Sequence, residues 1–260
     1  MKHPAVKKSV KASRPRLTLA ETMCELEKAG SAQTRKTYAR HGASGPMFGV
    51  SFATLKAMTK RIDLDHELAL ALWDSGNLDA RNLAVKIVDP SRMTSAELDR
   101  WVHESTVARL GGGYVGMLAA EGPHAAAKST QWLASKDIRE RCAGWTLLGQ
   151  LANRDQTNPD AVFEKRLAEI ERTIHAAPND EREVMNMAVI VIGGRNAALR
   201  KSALAAAKRI GKVEIDHGDT ACQTPDAAEY IEKMWARAKS SGFESPAAQE
   251  RARERPRRRC

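Results

Sequence analysis

An all-α protein, built as an α-solenoid of antiparallel helix pairs, is the fold class that three observations predict. The chain is rich in Ala, Leu, Glu, Lys and Arg and poor in aromatic residues, a composition of strong helix formers. Helix start and stop signals recur every 10 to 18 residues or so, with short links between them, as expected for antiparallel neighbours. A loose repeat begins at Asp79, Asp137 and Asp180, each followed two residues on by an arginine (Arg81, Arg139, Arg182) and then by an apolar helix. An acid in the first turn suits the helix dipole, and an arginine two places on can reach the acid of a neighbouring repeat. The spacings of 58 and 43 residues are irregular but bracket a two-helix repeat.

The elements follow in order. Thr18 with Glu21, and Thr94 with Glu97, form capping boxes. Ser51 can cap "FATLKAMTKR". Asp65 opens a helix that stops at Gly76, and Asn77 opens another that stops at Asp89–Pro90. Helices are expected near 95–109, 114–120, 123–134, 137–152, 160–175, 180–192, 195–210 and 225–240. Gly, Pro, Asn and Asp mark the links between them. Period-two alternation occurs only in "GKVEID", too short for a sheet.

The net charge of +10 divides unevenly. Residues 1–16 carry six basic groups and no acid, and residues 233–260 carry nine basic groups and three acids, so each end sums to +6. The body between them holds 27 basic and 29 acidic groups, a balance of −2. The expected organisation is a disordered basic tail over 1–16, one domain over 17–240 and a second disordered basic tail over 241–260. Basic arms suit nucleic-acid phosphates; a solvated tail is the other reading. No apolar run is long enough to span a membrane and no secretory signal core occurs. A cytoplasmic protein is expected.

Cys24, Cys142, Cys222 and Cys260 are far apart, and neither a CxxC nor a paired-histidine helix occurs. No metal and no cofactor are expected. "EIDHGDTACQTPDA" (214–227) gathers Asp, His and Cys in the manner of a site. It reads better as a link, with Thr224 as an N-cap, Pro225 at the first helical position and Asp226 in the first turn. "LGGGYVGM" (110–117) lacks the Gly-Lys-Ser/Thr of a nucleotide-phosphate loop. It either exposes backbone N–H groups to phosphates or serves as a flexible joint.

Several stretches together resemble the DNA alkylation repair proteins with HEAT-like repeats. "YARHGASGPMFGVSFATLKAMTKRI" (38–62) is similar to that family's N-terminal region, and "LALALWDSGNLDARNLAVKIV" (68–88) to its next repeat. "RERCAGWTLLGQL" (139–151) resembles a later Arg-rich helix, and the segment from "NMAVIVIGG" to "DAAEYI" resembles one branch of the family. The resemblance covers roughly residues 38–232. It implies a right-handed superhelix that grips duplex DNA on its concave face. It also implies an enzyme class that cleaves N3- or N7-alkylated purines from deoxyribose without a base-flipping pocket. Two Trp faces and one Asp support the cationic transition state in that class.

Carried over residue by residue, the best register puts Val107 and Met187 at the two Trp positions and Gly111 at the Asp, while Arg141 matches the family's arginine. A shifted register offers Trp101 and Glu104, three apart on one helix face, as catalytic candidates. Candidate DNA-binding residues are Arg141, Trp145 and the basic run Arg195, Arg200, Lys201, Lys208, Arg209 and Lys212. The expected function is DNA binding with weak, cryptic or absent glycosylase activity. An active alkylpurine glycosylase and a protein-binding scaffold are the alternatives. The expected partner is duplex DNA, with a protein partner as a further option, and the expected state is a monomer.

Overall fold

A computed structural model describes residues 16–253. Its regular elements are helices, and the one β-type pairing among the described residues is an isolated bridge between Gly30 and Val50. The N-terminal part comprises α1 (Leu19–Ala29), α2 (Ala32–Arg40), α3 (Phe52–Ile62), α4 (His66–Asp74), α5 (Leu78–Ile87) and α6 (Ser95–Glu104). A π-helical segment (Arg109–Val115) runs into α7 (Gly116–Ala119). It is followed by α8 (Ala125–Leu133), α9 (Ile138–Arg154), α10 (Asp160–Thr173), α11 (Asn179–Gly193), α12 (Ala197–Ile210), α13 (Ala227–Ser240) and α14 (Pro246–Arg251). The expected all-α solenoid is the observed architecture.

The helices form two layers. One layer is continuous: α3 packs on α5, α5 on the π-helical segment, that segment on α9, α9 on α11, and α11 on α13. The other layer packs against the middle of this one: α4 lies on α5, α6 on the π-helical segment, α8 on α9, and α10 and α12 on α11. Between the layers lies one connected apolar core that includes Leu72, Leu83, Trp101, Trp132, Leu147, Ile170, Val189 and Ile192.

Local signals set most helix starts. Thr18 and Thr94 make both halves of their capping boxes, and Ser51, Asp65 and Asn77 accept from backbone N–H groups as expected. Thr224 is not the cap of the last long helix. Asp226 takes that place, accepting from Glu229 N at 2.8 Å, because Thr224 is engaged with His217 Nε2 at 3.1 Å.

Two helices were not expected. The Ser31 hydroxyl accepts from Thr34 N and starts α2, which buries none of its residues and so carries no apolar stripe. The second changes the domain boundary, because residues 241–253 are not a disordered tail. Ser245 caps α14 with Pro246 in its first turn, Ala247 is fully buried, and Ala247 N donates to Gly194 O at 3.0 Å. Arg251 then reaches Asn153 O at 3.1 Å, tying α14 to the end of α9. The basic stretches 1–15 and 254–260 lie outside the described residues.

The glycine run is not a loose joint. A β-carbon on Gly112 would stand 2.8 Å from Cys142 Cβ, and one on Gly116 would stand 2.7 Å from Ala143 O. The missing side chains let the π-helical segment lie directly on the α9 backbone.

Candidate nucleic-acid interface

Most of the site residues expected from sequence are cross-links between successive helix pairs. Trp101 is fully buried and stacks on Trp73 with ring centroids 4.1 Å apart and planes 3° from parallel. Glu104 accepts from Trp73 Nε1 at 2.6 Å and sits 3.5 Å from the guanidinium groups of both Arg81 and Arg100. Trp101 and Glu104 therefore do not form a solvent-facing pair. The indole is core, and the carboxylate holds α4 and α5 to the end of α6.

The same construction recurs along the chain. Asp99 accepts from Trp132 Nε1 at 2.7 Å and from the buried Lys128 Nζ at 2.6 Å. Burial pushes the Asp99 carboxyl up, but these donors outweigh it and hold the group below the usual range. Glu181 receives both forks of Arg141 at 2.8 Å and Trp145 Nε1 at 3.2 Å. Each clasp joins an indole N–H, a carboxylate and a cation from neighbouring repeats. Arg141 and Trp145, expected at the DNA, belong to one of them, and Trp145 is only 2% exposed. Charge-assisted bonds of this kind contribute about 1.5–3 kcal/mol each.

The repeated arginines act in a related way, though mostly on carbonyls. Arg81 donates to Glu104 O at 2.6 Å, Arg139 to His103 O at 2.9 Å and Arg182 to Glu214 O at 2.6 Å. They fasten the carbonyl ends of adjoining segments, and only Arg81 also meets an acid of a neighbouring pair. Asp79 is fully buried and accepts three backbone N–H groups from Phe48, Gly49 and Val50 at 2.6–2.9 Å. This nest fixes the loop that leads into α3.

The C-terminal basic run is largely neutralised where it stands. Arg195 is buried, donates to Asp160 and to the carbonyls of Ala152, Asp155 and Asn158, and lies 4.7 Å from the Phe163 ring. Arg200 pairs with Glu232 and covers Trp235. Arg209 grips Glu171 through two bonds, and Lys212 pairs with Glu214 at 3.1 Å. Lys201 shares a groove between α10 and α12 with Glu164 and Glu171. Lys201 and Lys208 are exposed and make no ion pair among the described residues.

Residues 214–227 form a strap over α11. Asn179 bonds Asp216 in both directions at 2.8 Å, and Asn186 reaches Pro225 O at 2.9 Å. No group of three possible metal ligands occurs among the described residues. Cys142 is buried, which pushes its thiol up to about 12.

At the positions where resemblance puts the glycosylase residues, Met187 is exposed on α11 and Val107 is half-buried. Gly111 is buried, and a β-carbon there would meet Ser105 Cβ at 2.8 Å and Val102 O at 3.2 Å. The backbone therefore has no space for an aspartate at that point.

The strongest unneutralised charge in the body lies elsewhere. Residues 28–62 carry seven basic groups (Lys28, Arg35, Lys36, Arg40, Lys56, Lys60, Arg61) and no Asp or Glu. Among the described residues, Arg61 is the one of these that makes an ion pair, with Glu25 of α1. Lys56 and Lys60 are exposed one turn apart on α3, at the end of the continuous layer. The signal was present in the sequence as an acid-free block, hidden by the near-zero balance of the whole body.

Comparison with known proteins fits this architecture. A family model described as DNA alkylation repair enzyme matches residues 22–231. The chain is 29% identical over 229 residues to the uncharacterized protein Lmo0209 of Listeria monocytogenes, covering 86% of this chain and all of that protein. It is 29% identical over 223 residues to Lin0241 of Listeria innocua, covering 84% and 97%. A solved structure, described as a new family of proteins related to the HEAT-like repeat DNA glycosylases with affinity for branched DNA structures, superimposes with a TM-score of 0.77. It is 30% identical and covers 88% of this chain and 98% of that one. The chain belongs to the DNA alkylation repair family, and its fold is that of the HEAT-like-repeat proteins related to DNA glycosylases.

Proposed function

We propose that the protein binds DNA along its continuous helix layer, taken as the concave face, and holds duplex arms there. In this reading it shares the affinity for branched DNA ascribed to its solved relative, and its alkylpurine glycosylase activity is weak or absent. The closed position of Gly111 carries the second half. A carbocation-like transition state needs a placed carboxylate, and loss of one such electrostatic group costs about 2.7–4 kcal/mol. Glu104, the replacement in the shifted register, already accepts from Trp73 and faces two arginines. The acid-free block at residues 28–62 supports the first half, since phosphate binding needs cations not already paired.

The test combines binding and chemistry in the same samples. Fluorescence anisotropy is measured on a three-way junction, on a duplex of equal length and on that duplex carrying 7-methylguanine, and free base is assayed by chromatography. The expected result is salt-sensitive binding, tighter on the junction, with no released base at enzyme excess. Release abolished by Glu104→Gln would reinstate the glycosylase reading. Absence of binding to every DNA would remove the DNA reading.

A further inference from the structure

Phe52 is the first residue of α3 and is 40% exposed, although it is large and apolar. It sits over the seam between α5 and the π-helical segment. Lys86 Nζ of α5 lies 5.9 Å from the centre of its ring, and the guanidinium carbon of Arg109 lies 5.7 Å from it. Tyr38 of α2 flanks it at 5.7 Å, tilted by 50°. Arg109 is exposed, makes no ion pair among the described residues, and also lies 5.8 Å from the Tyr114 ring. Lys56 and Lys60 continue from Phe52 at four-residue steps along α3. A half-exposed aromatic ring thus lies among cations in a stretch, residues 28–62, with no Asp or Glu of its own, and the nearby Asp79 carboxylate is buried and engaged by backbone N–H groups.

We propose that Phe52, with Arg109 beside it, is the stacking platform for an unpaired nucleobase at a DNA branch point, while Lys56 and Lys60 hold the adjoining phosphates. Bases inside a duplex are stacked on both faces and offer nothing to an external ring. A base at a junction or flap has a free face, and an aromatic side chain accepts any base on it. A neighbouring guanidinium adds a second flat, positively charged surface. Cations alone would bind duplex and branched DNA by phosphate number; the ring supplies the discrimination between them. The proposal rests on the DNA-binding reading above and deepens it.

The test compares the full-length wild type with Phe52→Leu, which keeps apolar bulk without a flat face, and with Phe52→Tyr, which keeps the face. Affinities are measured by anisotropy on a three-way junction and on an equal-length duplex, at one fixed salt concentration. A second junction carries 2-aminopurine at the branch. The expected result is that Phe52→Leu loses about tenfold or more in junction affinity, as removal of one stacking aromatic does. Its duplex affinity stays within about twofold of wild type, and Phe52→Tyr keeps the junction preference. Wild type quenches 2-aminopurine on binding and Phe52→Leu does not. A Phe52→Leu protein that keeps the preference, or that loses junction and duplex affinity equally, overturns the proposal while the DNA reading stands. A wild type that binds neither DNA overturns both.

Discussion

The two basic regions of the folded body have similar composition and opposite availability. The run from Arg195 to Lys212 has six cations, four of them held by carboxylates. The block from Lys28 to Arg61 has seven cations and, among the described residues, one ion pair, to Glu25 of a neighbouring helix; neither stretch carries an acid in its own sequence. A cation engaged by a carboxylate must give up that partner before it meets a phosphate, and its net field is small. The C-terminal run is mostly engaged in contacts between neighbouring helices, and the N-terminal block keeps more of its cations open to an incoming anion. Charge density along a sequence does not distinguish these roles; what each cation faces across the fold does.

The largest effect that separates them belongs to Arg195. Its guanidinium is buried, and its acceptors are Ala152 O in the last turn of α9, Asp155 O and Asn158 O in the link that follows, and Asp160. Arg195→Ala leaves three carbonyls without its donors and Asp160 with Asn196 as its remaining side-chain donor, and the expected loss of stability is about 3 kcal/mol. Urea unfolding followed by circular dichroism measures it. Lys201→Ala, a few residues away and exposed, should change the midpoint by no more than about 0.5 kcal/mol. Equal small effects would place Arg195 among the free cations and erase the contrast.

Asp79 tests the other region from below. Its carboxylate gathers the backbone N–H groups of Phe48, Gly49 and Val50, and those residues lead into α3. Asp79→Asn retains the shape but removes the charge and one acceptor, at an expected cost of about 1.5–3 kcal/mol. Because the loop positions Phe52 and the α3 lysines, junction affinity should fall in the folded variant as well. Arg200→Ala, which removes the Glu232 pair and the cover over Trp235, should leave DNA affinity unchanged. Affinity lost in both variants alike would mean that the two regions contact DNA equally.

A smaller and more direct comparison uses salt. If Lys56 and Lys60 each neutralise one phosphate, replacing both by alanine should flatten the slope of log affinity against log salt by about 1.8. Lys201→Ala with Lys208→Ala should leave the slope unchanged. The opposite outcome would relocate the interface to the C-terminal run.

What was legible in the sequence was local. Thr18, Ser51, Asp65, Asn77 and Thr94 announce helix starts because a cap is written within four residues. Helix α2 escaped because it packs no apolar stripe, and α14 because a short helix after a polar link looks like a tail until Ala247 finds its burial. The site was harder. Trp73 and Glu104 are 31 residues apart, and Arg141 and Glu181 are 40 apart, so nothing adjacent marks them as clasps. An arginine and a tryptophan four residues apart on one helix look the same whether they face DNA or a neighbouring repeat. The closed space at Gly111 is a property of Val102 and Ser105 packing against it. Phe52 reads as one more core residue of an amphipathic helix, and only its exposure separates it from the rest.

The last prediction concerns how fully the paired cations are occupied. Arg139 donates to Asp137 through Nε and Nη2 at 3.1 and 2.6 Å, and this bond is the main reason the Asp137 carboxyl falls to about 2 from an ordinary 3.8. The folded state thus binds this proton less readily than the unfolded chain does. The stabilisation is complete above about pH 4 and is lost as pH falls toward 2. A carboxyl-carbon NMR titration should show the Asp137 midpoint near 2, and Arg139→Ala should return it toward the ordinary value. A wild-type midpoint near 3.8 would mean that Arg139 is free to leave its partner. In that case a cation at the start of α9 would be as available to phosphates as those of α3, and the line between paired and open regions would have to be redrawn through the middle of the continuous layer.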